Sequence, residues 1–317
     1  MNNTSALISP LSIAPMIDWS NTHFRFWMRL LAPHALVYTE MQTTGAVIHR
    51  PDKALFFDPR EHPVAIQLGG ADPKQLAQCA KMAEQQGFAE INLNLGCPSD
   101  KVQAGHFGAC LMQHPQLVAE CITAMKAVVQ IPVTAKVRIG VDQQDSFEFF
   151  HTFTRMLVEV GCDKLIVHAR KAWLKGLSPK QNRTIPPLNY DYVYQIKTLF
   201  PNIPVVINGN IQSFDEVQEH LTQVDGVMLG RIACQNPYQI AHIHAGLFPE
   251  SSMPSRMEIL EAYWEYMCSQ IPKGVPLTVL TKHLYNFACA MPYAKRWKAF
   301  LQEMQHKKQL LQLMPLL

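Results

Sequence analysis

Residues 63–98 read PVAIQLGGADPKQLAQCAKMAEQQGFAEINLNLGCP. The run Pro63 to Leu68 is short, apolar and β-branched, as a buried strand is. Asp72-Pro73 is a strong helix start, and helical spacing continues through Gln86 until Gly87 closes it. A second strand pattern, Ala89 to Leu95, ends abruptly at Gly96-Cys97-Pro98. Two strands joined by a helix pair in parallel, because only a long crossover returns the chain to the same edge.

The same unit recurs outward in both directions. Strand patterns lie at Leu11–Pro15, Ala35–Thr39, Pro63–Leu68, Ala89–Leu95, Pro132–Val137, Lys164–His168, Pro204–Ile207 and Gly226–Leu229. Helical spacing fills Pro115–Val129, Ser146–Val160, Tyr190–Leu199 and Ser213–Leu221 between them. Eight strand–helix units in about 245 residues predict an α/β fold, a (β/α)8 TIM barrel. A doubly wound open sheet would carry a glycine-rich turn after an early strand, whereas the first strand here ends Ala14-Pro15-Met16. Pro249–Ser255 reads as a linker, followed by helical patterns at Arg256–Gln270, Leu277–Ala290 and Ala294–Leu313. The expected organisation is a catalytic barrel over 1–248 and a small all-helical domain over 249–317.

Polar residues gather at the predicted C-terminal strand ends, where barrel enzymes hold their active groups: Glu40, Gln67, Asn94 with Cys97, Lys136 with Arg138, His168 with Arg170, Asn208 and Arg231. The loops after the last two strands, Asn208-Gly209-Asn210 and Gly230-Arg231, suit an anion that backbone N–H groups and an arginine can approach. Cys97 sits on a turn that Gly96 and Pro98 sharpen. A free thiol is mostly protonated at neutral pH and can act as an acid; as a nucleophile it requires a base, with His106 and His168 as candidates.

The chain has 28 Lys and Arg against 25 Asp and Glu, and the excess of three lies wholly beyond residue 248. Between Ala169 and Asn189 there are five cations and no acid, and Tyr293–Lys298 interleaves cations with aromatics. Together these read as a polyanion footprint with stacking surfaces, and point to RNA. Eight cysteines without Cys-x-x-Cys spacing indicate neither a metal site nor a disulfide frame. With no apolar run of membrane-spanning length and no secretory pattern at the start, the expectation is a cytoplasmic, monomeric protein.

The motifs Ala14-Pro-Met16, Gln67-Leu68, Asn92-Leu-Asn-Leu-Gly-Cys-Pro98, Lys136-Val-Arg-Ile-Gly140, His168-Ala-Arg170, Asn208-Gly209 and Gly230-Arg231 resemble, in order and across nearly the whole chain, the flavin-dependent tRNA-dihydrouridine synthases. The segment His168–Arg183, with Ile17-Asp18-Trp19 and Thr44-Gly45-Ala46, resembles the A subfamily. The resemblance implies an FMN-binding barrel with a tRNA-recognition domain, NADPH (or NADH) as reductant, and reduction of uridine to 5,6-dihydrouridine at D-loop positions 20 and 20a. It implies that Cys97 protonates C5 while reduced flavin delivers hydride to C6. It implies FMN contacts from Ala14, Pro15, Met16, Gln67, Lys136, His168, Asn208, Gly209, Asn210, Gly230 and Arg231, and tRNA contacts from Asn94, Lys180, Arg183 and Arg296. Asn210 stands where the family often has Gly or Asp, and Ala299 where a further cation is expected. Rival readings are a flavin oxidoreductase of a free small pyrimidine, an RNA-binding barrel without cofactor, and a lyase using Lys136 as a Schiff-base amine.

Overall fold

In the computed structural model, which describes residues 9–307, nine parallel strands form one sheet. They are β1 (Leu11–Ile13), β2 (Leu36–Tyr38), β3 (Gln42–Thr43), β4 (Val64–Gly69), β5 (Glu90–Leu95), β6 (Val133–Arg138), β7 (Leu165–His168), β8 (Val205–Asn208) and β9 (Gly226–Leu229). The order β2-β1-β9-β8-β7-β6-β5-β4 closes through a β2–β4 pairing, so eight strands make a barrel. All eight lie where the sequence alternation puts them. The two-residue β3 is additional, and pairs with the end of β4 outside the ring.

Strand alternation sorts side chains into two layers. Residues such as Ile91, Leu93, Val133, Val137, Val167, Ile207 and Leu229 pack outward under the helices in the main core. Ala14, Leu36, Tyr38, Ala65, Ile166, Val206 and Met228 form a separate, smaller cluster inside the barrel. That cluster fills one side of the lumen. The other side is polar: Gln67, Glu90, Asn92, Asn94, Thr134 and Lys164 are all buried.

Helix Pro73–Gln86 starts on the Asp72 side chain, which accepts from Gln75 N–H, and ends at Gly87 in the left-handed region. Helix Phe214–Leu221 opens with a reciprocal Ser213/Glu216 capping box. Helix Thr22–Leu31 is unusual, because His23, Phe24, Phe26, Trp27 and Met28 are all buried. Its outer face is covered by the C-terminal helices. Phe26 stacks on Tyr266 at 3.9 Å between centroids, and Trp27 meets Tyr263 at 4.8 Å and Phe287 at 4.9 Å. Lys282 reaches back to the loop after β1, donating to Asp18 O at 2.5 Å and lying 4.6 Å from the Trp19 ring centre.

The last segment differs from expectation in one element. Helix Arg256–Gln270 forms with the predicted bounds, but the single helix expected over 277–290 does not. Leu277–Thr281 is helical, Lys282–Leu284 tightens to a 3-10 turn, and turns follow to Ala290 at φ +64°. The carbonyl of Leu280 accepts from Tyr263 Oη (2.9 Å), and that of Leu284 from Trp297 Nε1 (2.7 Å) as well as from Phe287 N–H (2.9 Å), so tertiary donors join a tightened local turn. The last helix spans Ala294–Lys307, and its expected extension to Leu313 lies outside the described residues.

Trp297 is 1% exposed and makes that bond from the centre of the segment. Trp297→Ala is expected to destabilise the protein by about 3–5 kcal/mol through a cavity and the loss of the indole hydrogen bond. Denaturant unfolding monitored by far-UV circular dichroism measures this, and a loss below about 1 kcal/mol would show the segment contributes little to the common core.

Candidate active site

The C-terminal ends of the strands bring most of the sequence-selected residues to one mouth. Gln67 on β4, Asn94 on β5, Lys136 and Arg138 on β6, His168 on β7 and Asn208 on β8 are consecutive around the ring. Register pairs Asn94 with Lys136, Arg138 with His168, and His168 with Asn208. Ala14 continues the ring at β1, donating its N–H to Leu229 O at 2.8 Å, with Met16 packed against the inner cluster.

Lys136 donates to Asn208 Oδ1 at 3.1 Å, and Asn208 Nδ2 donates to Met228 O at 2.8 Å. Burial and the neighbouring Arg138 lower the Lys136 pKa to about 7, with Cys97 acting in the opposite direction. His168 is held well below the ordinary histidine range by burial and by Arg138, Lys136, Arg170 and Arg231. Arg138 is lowered to about 10, by burial first. None of these basic side chains, nor Arg183, forms an ion pair with a carboxylate among the described residues. Basic side chains gathered together without acidic partners suit an anion.

The backbone supports that conclusion. Gly209 lies at φ +146°, and a Cβ there would fall 2.8 Å from Leu188 Cδ2. Asn210 is at φ +55°, a conformation that Asn tolerates better than most residues, and its Oδ1 accepts from Arg231 Nη2 at 3.2 Å. Tyr190 Oη donates to Gly209 O at 2.5 Å and fixes the turn. Arg170 Nε is buried with no hydrogen-bond partner, while its Nη1 donates to Pro186 O. An orphaned guanidinium N–H beside Arg231 is a donor that a phosphate oxygen can satisfy.

Cys97 is half-buried on the turn after β5. Asn94 Oδ1 accepts from the N–H groups of Gly96 (3.2 Å) and Cys97 (3.0 Å), and Cys97 O accepts from Ala109 N–H at 2.9 Å. Gly108, at φ +81°, is required there, since a Cβ would sit 2.6 Å from Cys97 O. The hydrogen-bond partner of Cys97 Sγ is Ser99 Oγ at 3.5 Å, and no histidine bonds to it among the described residues. Neither His106 nor His168, the bases a nucleophilic thiol would need, is hydrogen-bonded to it.

The remaining selected residues are spread more widely. Asn94 is 8% exposed, with both ends of its amide engaged inside the mouth. Lys180 and Arg183 are exposed on the loop after β7, and Arg296 is exposed on the last helix. Sequence reasoning missed two ties. Arg138 donates to Gly96 O (3.1 Å) and to Asn182 O (3.0 Å), joining the Cys97 turn to the basic loop. Gln103 Nε2 donates to Pro98 O (2.8 Å) and Leu174 O (2.7 Å), joining the same two segments again. The Arg at the end of β6 was visible in the sequence; a glutamine inside a short helix gave no signal.

Fold and site together define an α/β-barrel enzyme with a cationic anion cradle and a thiol on a braced turn at the C-terminal mouth. The family model for dihydrouridine synthase (Dus) matches residues 12–316, and the chain belongs to that family. It is 49% identical to the tRNA-dihydrouridine(20/20a) synthase of Shewanella oneidensis over 97% of this chain and 92% of that one. It is 50% identical to the enzyme of the same name from Escherichia coli O6:H1, over 93% of this chain and 90% of that one. The corresponding Vibrio parahaemolyticus enzyme is 49% identical over 94% and 92%. Among the described residues no helix is long and apolar enough to cross a membrane, and no cluster of three metal-binding side chains occurs.

Proposed function

We propose that this protein reduces uridine to 5,6-dihydrouridine in the D-loop of tRNA, at positions 20 and 20a, using FMN and NADPH. The observation that carries the reading is the juxtaposition of the braced Cys97 turn with a carboxylate-free cluster of Lys136, His168, Arg170 and Arg231. The donor set fits FMN: Arg170, Arg231 and the Gly209-Asn210 turn for the phosphate, and Gln67, Lys136, His168 and Asn208 for the polar edge of the ring system. Ala14, Pro15, Met16 and Gly230 complete its walls. FMN held there would supply a hydride for C6 of the uracil, with NADPH as its reductant.

The protein supplies the proton and the geometry. Cys97 Sγ–H gives its proton to C5, leaving a thiolate that solvent reprotonates. Arg138 and Gln103 hold the Cys97 turn against the basic loop, which sets the thiol beside the proposed RNA face. A uridine inside folded tRNA must leave its stack to enter the mouth, where Asn94 faces it, while Lys180, Arg183 and Arg296 hold the surrounding RNA. The low pKa of Lys136 also suits a Schiff-base amine, but that reading leaves Cys97 idle.

The test is to reduce the purified protein anaerobically and add tRNA lacking dihydrouridine. Rapid flavin reoxidation by that tRNA, and not by free uridine or fully modified tRNA, is the expected result. A flavin indifferent to tRNA would favour reduction of a free pyrimidine, and a colourless protein would exclude the flavin chemistry altogether.

Lys180→Ala with Arg183→Ala tests the RNA face separately. Both residues are exposed on the basic loop. The pair is expected to weaken tRNA binding and to reduce the slope of log Kd against log salt by about one to two units. An unchanged slope would remove the loop from the footprint.

A further inference from the structure

We infer that Lys164, Glu90, Thr134 and Asn92, inside the barrel, are positioning residues that fix the amide orientation of Gln67 and Asn94 and, through it, the Cys97 turn; the inference rests on the active-site reading proposed above. The six polar side chains from Lys164 to Asn94 form one continuous column through the polar side of the lumen. Lys164 pairs with the Glu90 carboxylate, with both side chains 3% exposed. Glu90 Oε1 also receives Tyr38 Oη–H at 2.6 Å, and burial beside Glu90 keeps that phenol protonated as a donor. Thr134 Oγ1 donates to the same carboxylate oxygen at 2.6 Å.

From there each step is forced. A carboxylate can only accept, so the Thr134 hydroxyl spends its one proton downward. The alternative acceptor for that proton, Ile91 O at 3.3 Å, is also a carbonyl and changes nothing. Thr134 Oγ1 must therefore accept from Asn92 Nδ2, 2.9 Å away. That turns Asn92 Oδ1 toward Gln67 Nε2, from which it accepts at 2.8 Å. Gln67 Oε1 is then the acceptor for Asn94 Nδ2 at 2.8 Å. Asn94 Oδ1 is left facing the N–H groups of Gly96 and Cys97.

Two consequences follow for the mouth. A primary amide has two N–H groups, so Gln67 and Asn94 each keep one beyond the column. Asn94, whose oxygen already accepts two N–H groups, can then offer a ligand only a donor, and Gln67 a donor with one remaining lone pair, which suits carbonyl-bearing rings such as the pyrimidine-2,4-dione of uracil or of a flavin. The reversed column would leave a buried carboxylate short of a donor and release the Cys97 turn.

Neutron diffraction of the deuterated wild-type protein tests this without a variant. Deuterons on Asn92 Nδ2 directed at Thr134, and on Gln67 Nε2 directed at Asn92, are expected; the opposite amide orientation at either residue would overturn the inference. Thr134→Val removes the hydroxyl at nearly constant volume, and Thr134→Ser restores it. Thr134→Val is expected to alter the flavin absorption spectrum and to slow single-turnover reoxidation by tRNA roughly tenfold, with tRNA affinity unchanged. Thr134→Ser is expected to recover most of both. Equal impairment of the two variants, or none in Thr134→Val, would show that the column does not direct the site. A wild-type protein without flavin defeats the functional reading instead, and leaves the neutron result to stand by itself.

Discussion

Cys97→Ala is expected to bind flavin and tRNA as the wild type does and to lose about 10²- to 10⁴-fold in dihydrouridine formation, the range that general acid catalysis supplies. The turn itself should survive. Its bracing comes from backbone groups: the N–H of residue 97 to Asn94 Oδ1, its carbonyl from Ala109 N–H, and Gly96 O from Arg138. Removing Sγ deletes only the 3.5 Å contact to Ser99 and the proton source. The loss should therefore fall on the rate of the chemical step, with the tRNA concentration dependence nearly unchanged. Flavin reduction by NADPH should be untouched, since it needs no proton at C5 of a base. Single-turnover reoxidation with saturating tRNA, followed at the flavin absorption maximum, separates these effects. Turnover within threefold of wild type would exclude Cys97 as the acid. A loss of flavin or of tRNA affinity comparable to the rate loss would make the residue structural.

Binding of FMN to flavin-stripped protein is expected to take up a proton above pH 7 and to weaken as pH rises from 7 to 9. The group responsible is Lys136, lowered from the ordinary lysine value of 10.5 to about 7 by burial first and Arg138 second. Between about pH 7 and 10.5 the folded, flavin-free protein thus carries a neutral amine where the unfolded chain carries an ammonium. The unfolded state binds more protons in that window, so Lys136 makes this form more stable as pH rises through it and less stable below it. An anionic cofactor beside the amine restores its charge. The sign is then fixed: binding draws in a proton, and log Kd rises with pH by up to one unit per pH unit. Calorimetry at pH 8.5 in two buffers of different ionisation enthalpy reads the proton directly. Lys136→Met should abolish the uptake and weaken FMN binding by roughly tenfold or more at pH 6.5, through loss of a buried charge-assisted contact. Proton-free binding by the wild type at pH 8.5 would place Lys136 outside the cofactor's field.

Both predictions depend on side chains that alternation and motif had already singled out. Strand-to-helix alternation identified eight strands and their closure into a barrel, because a parallel strand covered by helices must be apolar on its outer face. The C-terminal strand-end residues were legible for the same reason, since each interrupts an apolar run with a group that packing does not require. Asn210 is a further case: the tolerance of Asn for the left-handed region, noted from the sequence, matches its φ of +55°.

What alternation could not tell was which way β5 faces. Glu90-Ile-Asn-Leu-Asn-Leu95 reads as a strand with one polar face, and a polar face ordinarily meets water. In the closed barrel, Glu90, Asn92 and Asn94 point into the lumen, where Gln67 arrives from β4, Thr134 from β6 and Lys164 from the residue before β7. Residues 25 to 74 positions apart in the chain become partners only when the ring closes. The break of the helix expected over 277–290 has the same origin, because Tyr263 and Trp297 supply donors from outside the segment. The sequence alone determined the barrel, the thiol at its mouth and the basic surfaces, all written in local periodicity and residue type. Tertiary structure alone decided the orientation of the polar column, the ties from Arg138 and Gln103, and the electrostatics of Lys136, since hydrogen-bond direction and desolvation belong to the packed assembly and not to any one segment.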